Sequence, residues 1–119
     1  MGNPVMHFEI IGKDAPALRT FYSETFGWEI APPIPESPTD YSLVKTNNEH
    51  GIAGGIGQCP EGQAGHVTFY VAVDDMEKIL RDIEARGGKR VFGPDQVPNG
   101  PIIGQFIDPQ GNAIGLVQP

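Results

Sequence analysis

The chain is poor in cysteine, in basic residues and in long apolar runs, and each shortage removes a class of function. Cys59 is the one cysteine among 119 residues, so an internal disulfide framework is impossible. It stands before Pro60 in a polar stretch with no base beside it, which marks an inert thiol and not a nucleophile. Only 8 Lys and Arg oppose 15 Asp and Glu, a net charge of −7, and the basic residues nowhere cluster. Nucleic acid and anionic membrane surfaces are therefore poor partners, because phosphate contacts need concentrated positive charge. No apolar run approaches the roughly 18 residues of a membrane span. A small-molecule or protein partner is expected instead. The first strand-like residues follow Met1 to Asn3 directly, without the basic and apolar regions of a secretion signal, so a cytoplasmic location is expected.

What is present is one pattern written twice. Val5 to Ile11 alternates as a strand does, with Met6, Phe8 and Ile10 on one face and Val5, His7 and Glu9 on the other. Asp14 offers an N-cap, Pro16 is tolerated in a first turn, and Leu18, Phe21, Tyr22 and Thr25 repeat at helical spacing until Gly27. The second half begins again at Gly65 to Val73, with Val67, Phe69, Val71 and Val73 opposite His66, Thr68, Tyr70 and Ala72. Asp74 with Glu77 resembles a capping box, and Met76, Ile79, Leu80 and Ile83 form the next apolar stripe, closed by Gly87 and Gly88. From His7 to His66 is 59 residues and from Gly27 to Gly87 is 60, the mark of a duplicated unit.

Short strand candidates follow each helix: Trp28–Ile30, Tyr41–Lys45 and Ile52–Ile56, then Lys89–Phe92, Ile102–Ile107 and Ala113–Val117. Four prolines between Pro32 and Pro38 make a loop there, since proline supplies no ladder donor. The spacing thus predicts an α+β domain over 1–119 made of two βαβββ modules, 5–56 and 65–117, with a linker at 57–64 and helices over Ala15–Phe26 and Asp75–Arg86. Each module, at roughly 55 residues, is marginal alone. Leu18, Phe21, Tyr22, Ile79, Leu80 and Ile83 are expected to be buried against Met6, Phe8, Ile10, Val67, Phe69 and Val71.

The repeat, a histidine in the first strand of each half, the Phe26-Gly27-Trp28 helix exit and the closing phrase Asp108-Pro109-Gln110-Gly111-Asn112-Ala113-Ile114 together resemble the glyoxalase/bleomycin resistance/extradiol dioxygenase group, also called the vicinal oxygen chelate superfamily. The resemblance covers nearly the whole chain. It implies curved mixed sheets with helices outside and a concave inner site, and a homodimer. Independently, His7, Glu9, His66, Thr68 and Tyr70 fall on the non-helix faces of the first strands, where polar groups need partners or ligands.

Metal-dependent members of the resembled group hold a divalent ion with residues of the first and last strands of each module, commonly His with Glu. His7 and His66 match the first-strand positions. The last-strand positions fall on Gly115 and, in the first half, near Gly54, and glycine has no ligand atom. Two imidazoles fall short of the three protein ligands of a catalytic zinc site. Glu9 shares a face with His7 but stands roughly 6.5 to 7 Å away along the strand, and Glu49 with His50 forms a second reserve.

No metal cofactor is therefore favoured. The expected function is metal-independent binding of a small, partly apolar molecule by His7, Glu9, His66, Thr68, Tyr70 and Gly115, with Tyr70 and Glu9 as candidates for any catalytic step. The alternative is a glyoxalase-like lyase, isomerase or dioxygenase with Zn, Ni, Mn or Fe on His7 and His66. Gly54-Gly55-Ile56-Gly57 is no dinucleotide fingerprint, because no helix follows it. Glu24, Glu77, Asp82 and Glu84 read as solvated helix faces, and Trp28 as packing or a cavity wall.

Overall fold

The computed structural model describes residues 1–119. Eight strands and two helices follow in the order β1 (Val5–Gly12), α1 (Ala15–Phe26), β2 (Glu29–Ile30), β3 (Ser42–Lys45), β4 (Ala53–Gln58), β5 (His66–Ala72), α2 (Met76–Ala85), β6 (Lys89–Gln96), β7 (Ile102–Ile107) and β8 (Ala113–Gln118). This is the α+β architecture of two βαβββ modules. The chain divides into two compact units, His7–Val67 and Met1–Met6 with Thr68–Pro119. No helix is long and apolar enough to cross a membrane.

In the His7–Val67 unit the strand order is β2-β3-β4-β1, antiparallel except where β4 meets β1 in parallel. In the Thr68–Pro119 unit the order is β5-β8-β7-β6, with β5 and β8 parallel. The Met1–Met6 segment belongs to this second unit, where Pro4 O accepts from Ala72 N at 2.9 Å and Asn3 Nδ2 donates to Ala72 O at 3.0 Å.

Both helices start by the same device. Ala15 N donates to Gln58 Oε1 at 2.8 Å, and Met76 N donates to Gln118 Oε1 at 2.8 Å. In each unit a glutamine at the end of the last strand thus satisfies one of the N–H groups that a helix leaves orphaned at its start. β4 accordingly runs on to Gln58, two residues into the stretch expected to be linker. Asp14 caps α1, accepting from Ala17 N at 3.0 Å, and Gly27 ends it in the left-handed region at φ 70°. The cap of α2 is Asp75, which accepts from Lys78 N at 3.2 Å, and not Asp74. Two adjacent aspartates offered the same chemistry, and burial of Met76 with its bond to Gln118 selects the later start. Glu77 closes no capping box; it binds Arg81 Nε at 2.9 Å and Arg90 Nη2 at 2.7 Å.

Behind α2 lies an aliphatic core of Val73, Met76, Leu80 and Leu116, with Val71, Ile79, Ile83, Ile102 and Phe106 packed around it. Behind α1 the packing is aromatic: Trp28 stacks on Tyr22 at 5.1 Å between ring centroids and meets Phe8 at 5.2 Å and Phe26 at 5.6 Å. Several residues expected inside are outside. Phe21 is 56% exposed, touching Tyr22 edge-on at the rim of the helix stripe, and Met6, Val67 and Phe69 are exposed too.

Candidate ligand-binding site

Register decides which side chains share a face. Parallel pairing sets His7 beside Ala53, Glu9 beside Gly55 and Ile11 beside Gly57, with Phe8 beside Gly54 and Ile10 beside Ile56 in between. Alternation then puts His7, Glu9, Ala53, Gly55 and Gly57 on one side of the sheet, and Phe8, Gly54 and Ile56 on the helix side. Gly54 was expected near the position of a missing ligand on the polar face. It lies under the Phe8 ring instead, where an added Cβ would stand 2.5 Å from two ring carbons. Leu43, paired with Gly55, joins the polar face as an exposed apolar side chain.

The absence of side chains along β4 has an occupant. Tyr41, at the end of the proline-rich loop, lays its ring along the strand. A Cβ at Gly55 would overlap the phenol, and one at Gly57 would lie 2.9 Å from the ring. The phenol oxygen reaches His7 Nε2 at 2.8 Å, with the two rings 18° from parallel. Burial holds the His7 pKa below its ordinary value of 6.5, with the charge of Glu9 opposing in part, so the imidazole is neutral at pH 7. A neutral imidazole and a phenol can each donate and accept; the tautomer decides which way the shared proton points.

Glu9 is buried, its side chain 11% exposed, and His66 Nε2 stands 3.3 Å from Glu9 Oε2. The two first-strand histidines are therefore engaged differently, His7 with a phenol and His66 with a carboxylate. Both pairs belong to the His7–Val67 unit.

In the other unit, the buried Thr68 donates its hydroxyl to Ala113 O at 2.9 Å, tying β5 to the start of β8. Tyr70 lies over its register partner Gly115, where a Cβ would meet the ring at 2.6 Å. Gly115 lies three residues before Gln118 and pairs with Tyr70, as Gly55 lies three before Gln58 and pairs with Glu9. The counterpart of Gly115 is thus Gly55 and that of Tyr70 is Glu9; Thr68 stands where His7 stands, so His66, expected to match His7, does not. Both halves seat an aromatic ring on a bare last strand.

No group of three or more His, Cys, Asp or Glu side chains is placed to hold a metal ion. Gly55 and Gly115 supply no donor, and His50 with Glu49 sits in an exposed turn, 3.6 Å apart. This donor set does not fit a metal centre of three protein ligands. Tyr41 and Leu43 were absent from the expected site residues. The signal was there in Gly55 and Gly57, glycines at alternate positions of one strand, which mark a close approach on one face.

The family model for the Glyoxalase/Bleomycin resistance protein/Dioxygenase superfamily matches residues 5–116. A Mycobacterium bovis protein whose name includes the words glyoxylase CFP32 is 30% identical over 108 residues, 88% of this chain. The chain spans 41% of that relative's length. A glyoxylase-like domain-containing protein of Didymella fabae is 29% identical over 120 residues, 91% of each chain. Among solved structures, a methylmalonyl-CoA epimerase from Mycobacterium tuberculosis superposes with a TM-score of 0.73 at 14% identity, over 97% of this chain and 87% of its own. At that identity the likeness is one of fold.

Proposed function

The chain belongs to the Glyoxalase/Bleomycin resistance protein/Dioxygenase superfamily, and from that premise we propose that it binds a small, partly apolar molecule on the polar face of its first unit without a metal ion. The observation that carries this reading is the neutral His7–Tyr41 pair, Nε2 to phenol oxygen at 2.8 Å, beside the exposed Leu43 on the same face. The pair offers a donor and an acceptor to a carbonyl or hydroxyl group, and Leu43 offers an apolar surface for the remainder of the ligand. Glu9, held by His66, gives the same face a carboxylate. The lyase, isomerase or dioxygenase reading needs His7 and His66 to share an ion, whereas His7 faces Tyr41 and His66 faces Glu9.

The test is a thermal-shift screen of the full chain against small phenols, aromatic aldehydes and hydroxylated aromatics. A ligand that binds only the folded state raises the midpoint, and goes on raising it as its concentration exceeds its Kd. The reading expects at least one hit whose affinity falls about two- to tenfold in His7→Ala, the worth of one hydrogen bond. It is overturned if stabilisation and turnover instead require an added divalent ion and vanish together in His7→Ala and His66→Ala.

A further inference from the structure

The bare stretch of β4 and the position of Tyr41 explain each other. Gly55 and Gly57 face the same side, and a methyl group on either would strike the Tyr41 ring. Glycine in a strand interior weakens it, since it adds chain entropy and packs nothing. Two such residues on one face are explained by the ring that lies across them. The ring lies there flat, with its hydroxyl at the far end against His7 Nε2.

We propose that Tyr41 is a built-in occupant of the His7 ligand position, and so the residue that decides what His7 can bind. Its phenol holds the Nε2 nitrogen that a ligand on this face would otherwise meet. An incoming ligand must either displace the phenol or share its proton with the pair, which selects oxygen-bearing organic groups over cations. The proline-rich loop between β2 and β3 positions the phenol: Ile34 N donates to Tyr41 O at 2.8 Å, and Ala31 N to Leu43 O at 2.9 Å. Tyr41 is thus a positioning residue toward His7, and the inference rests on the reading above only in taking the His7 face as the ligand-binding face.

The test uses the metal-free chain of 119 residues and two variants that remove the phenol by different routes. Tyr41→Phe keeps the ring and deletes the hydroxyl; Gly55→Ala keeps the hydroxyl and drives it out of place. Nitrogen-15 signals of the His7 ring are read at one fixed pH, and Ni²⁺ is titrated while broadening at that ring is followed. The expected result is a change in the His7 Nε2 signal in both variants, with Ni²⁺ affinity at His7 rising about two- to tenfold, the factor one hydrogen bond represents. Should Gly55→Ala fail to fold, Tyr41→Phe alone decides, since loss of one oxygen leaves the ring's packing in place. An unchanged Nε2 signal in Tyr41→Phe overturns the proposal, and so does wild-type Ni²⁺ binding at His7 as tight as that of the variant. Neither readout needs an organic ligand, so failure of the ligand screen and failure of this inference are distinguishable.

Discussion

The two units are built to one plan and filled differently. Each begins its helix on a glutamine from its own last strand, Gln58 or Gln118, and each lays an aromatic ring over glycine of that strand. The Thr68–Pro119 unit buries aliphatic side chains around Leu80 and ties Arg90 to Glu77 and Glu84 outside. Its polar first-strand residue Thr68 is spent on a backbone carbonyl. The His7–Val67 unit contributes only Ala15 of its helix to full burial and keeps a histidine, a buried glutamate and a phenol on its open face. The comparison teaches that the duplicated scaffold separates tasks: one copy carries close aliphatic packing, and the other carries groups that can exchange hydrogen bonds with a ligand.

The largest test of that contrast compares two leucines. Leu80 is 0% exposed and Leu43 is 48% exposed. Leu80→Ala should cost about 2–5 kcal/mol through lost transfer energy and a cavity, whereas Leu43→Ala should stay within about 0.5 kcal/mol while weakening ligand binding. Urea unfolding measures both. Equal costs would erase the division between a packed unit and a binding unit.

Next in size is Gly54→Ala. Its methyl group would enter the Phe8 ring, and Phe8 is held by Trp28, so the aromatic cluster has to shift at a cost of about 1–3 kcal/mol. A neutral outcome in the same urea experiment would show that Gly54 does not face Phe8. Smaller again is Tyr41→Phe, expected to lose about 0.5–1.5 kcal/mol for one part-buried hydrogen bond.

The smallest effects are in acid, and they fall in different windows for the two units. The folded-state pKa of His7 lies below its ordinary 6.5, so the unfolded chain takes up that proton more readily. The contribution of His7 is therefore complete above pH 6.5 and lost as pH falls below it. The guanidinium groups of Arg90 and Arg81 push Glu77 from 4.5 down to about 2. Its contribution has the same sign, complete above pH 4.5 and lost as pH falls toward 2, and solvent screening keeps it small. His7→Gln should flatten the upper window and Glu77→Gln the lower one in stability measured against pH. If His7→Gln leaves the segment just below pH 6.5 unchanged, His7 is not buried as described.

Local features were legible in the sequence because their causes are local. Asp14, Pro16 and Gly27 bound α1 at the residues expected, since caps and breakers act within one turn. The repeat and the α+β class followed from periodicity. The cap of α2 slipped by one residue because Asp74 and Asp75 are equivalent to their neighbours, and only Gln118, 42 positions away from Met76, separates them. Gly54 changed face for a similar reason, as a one-residue shift of register moves every side chain of a strand to the other side. Tyr41 reaches His7 across 34 residues and a proline-rich loop. Nothing local to Tyr41 announces that, although Gly55 and Gly57 record the space its ring requires.

The central claim is that His7 works through Tyr41 and not through a metal ion. Elemental analysis of the full chain, purified without a histidine tag and given equal access to Zn²⁺, Ni²⁺, Mn²⁺ and Fe²⁺, tests it most directly. The account predicts no stoichiometric divalent ion, because the last strands offer Gly55 and Gly115 where donors would stand. One tightly held ion per chain, lost on His7→Ala or His66→Ala, would contradict it.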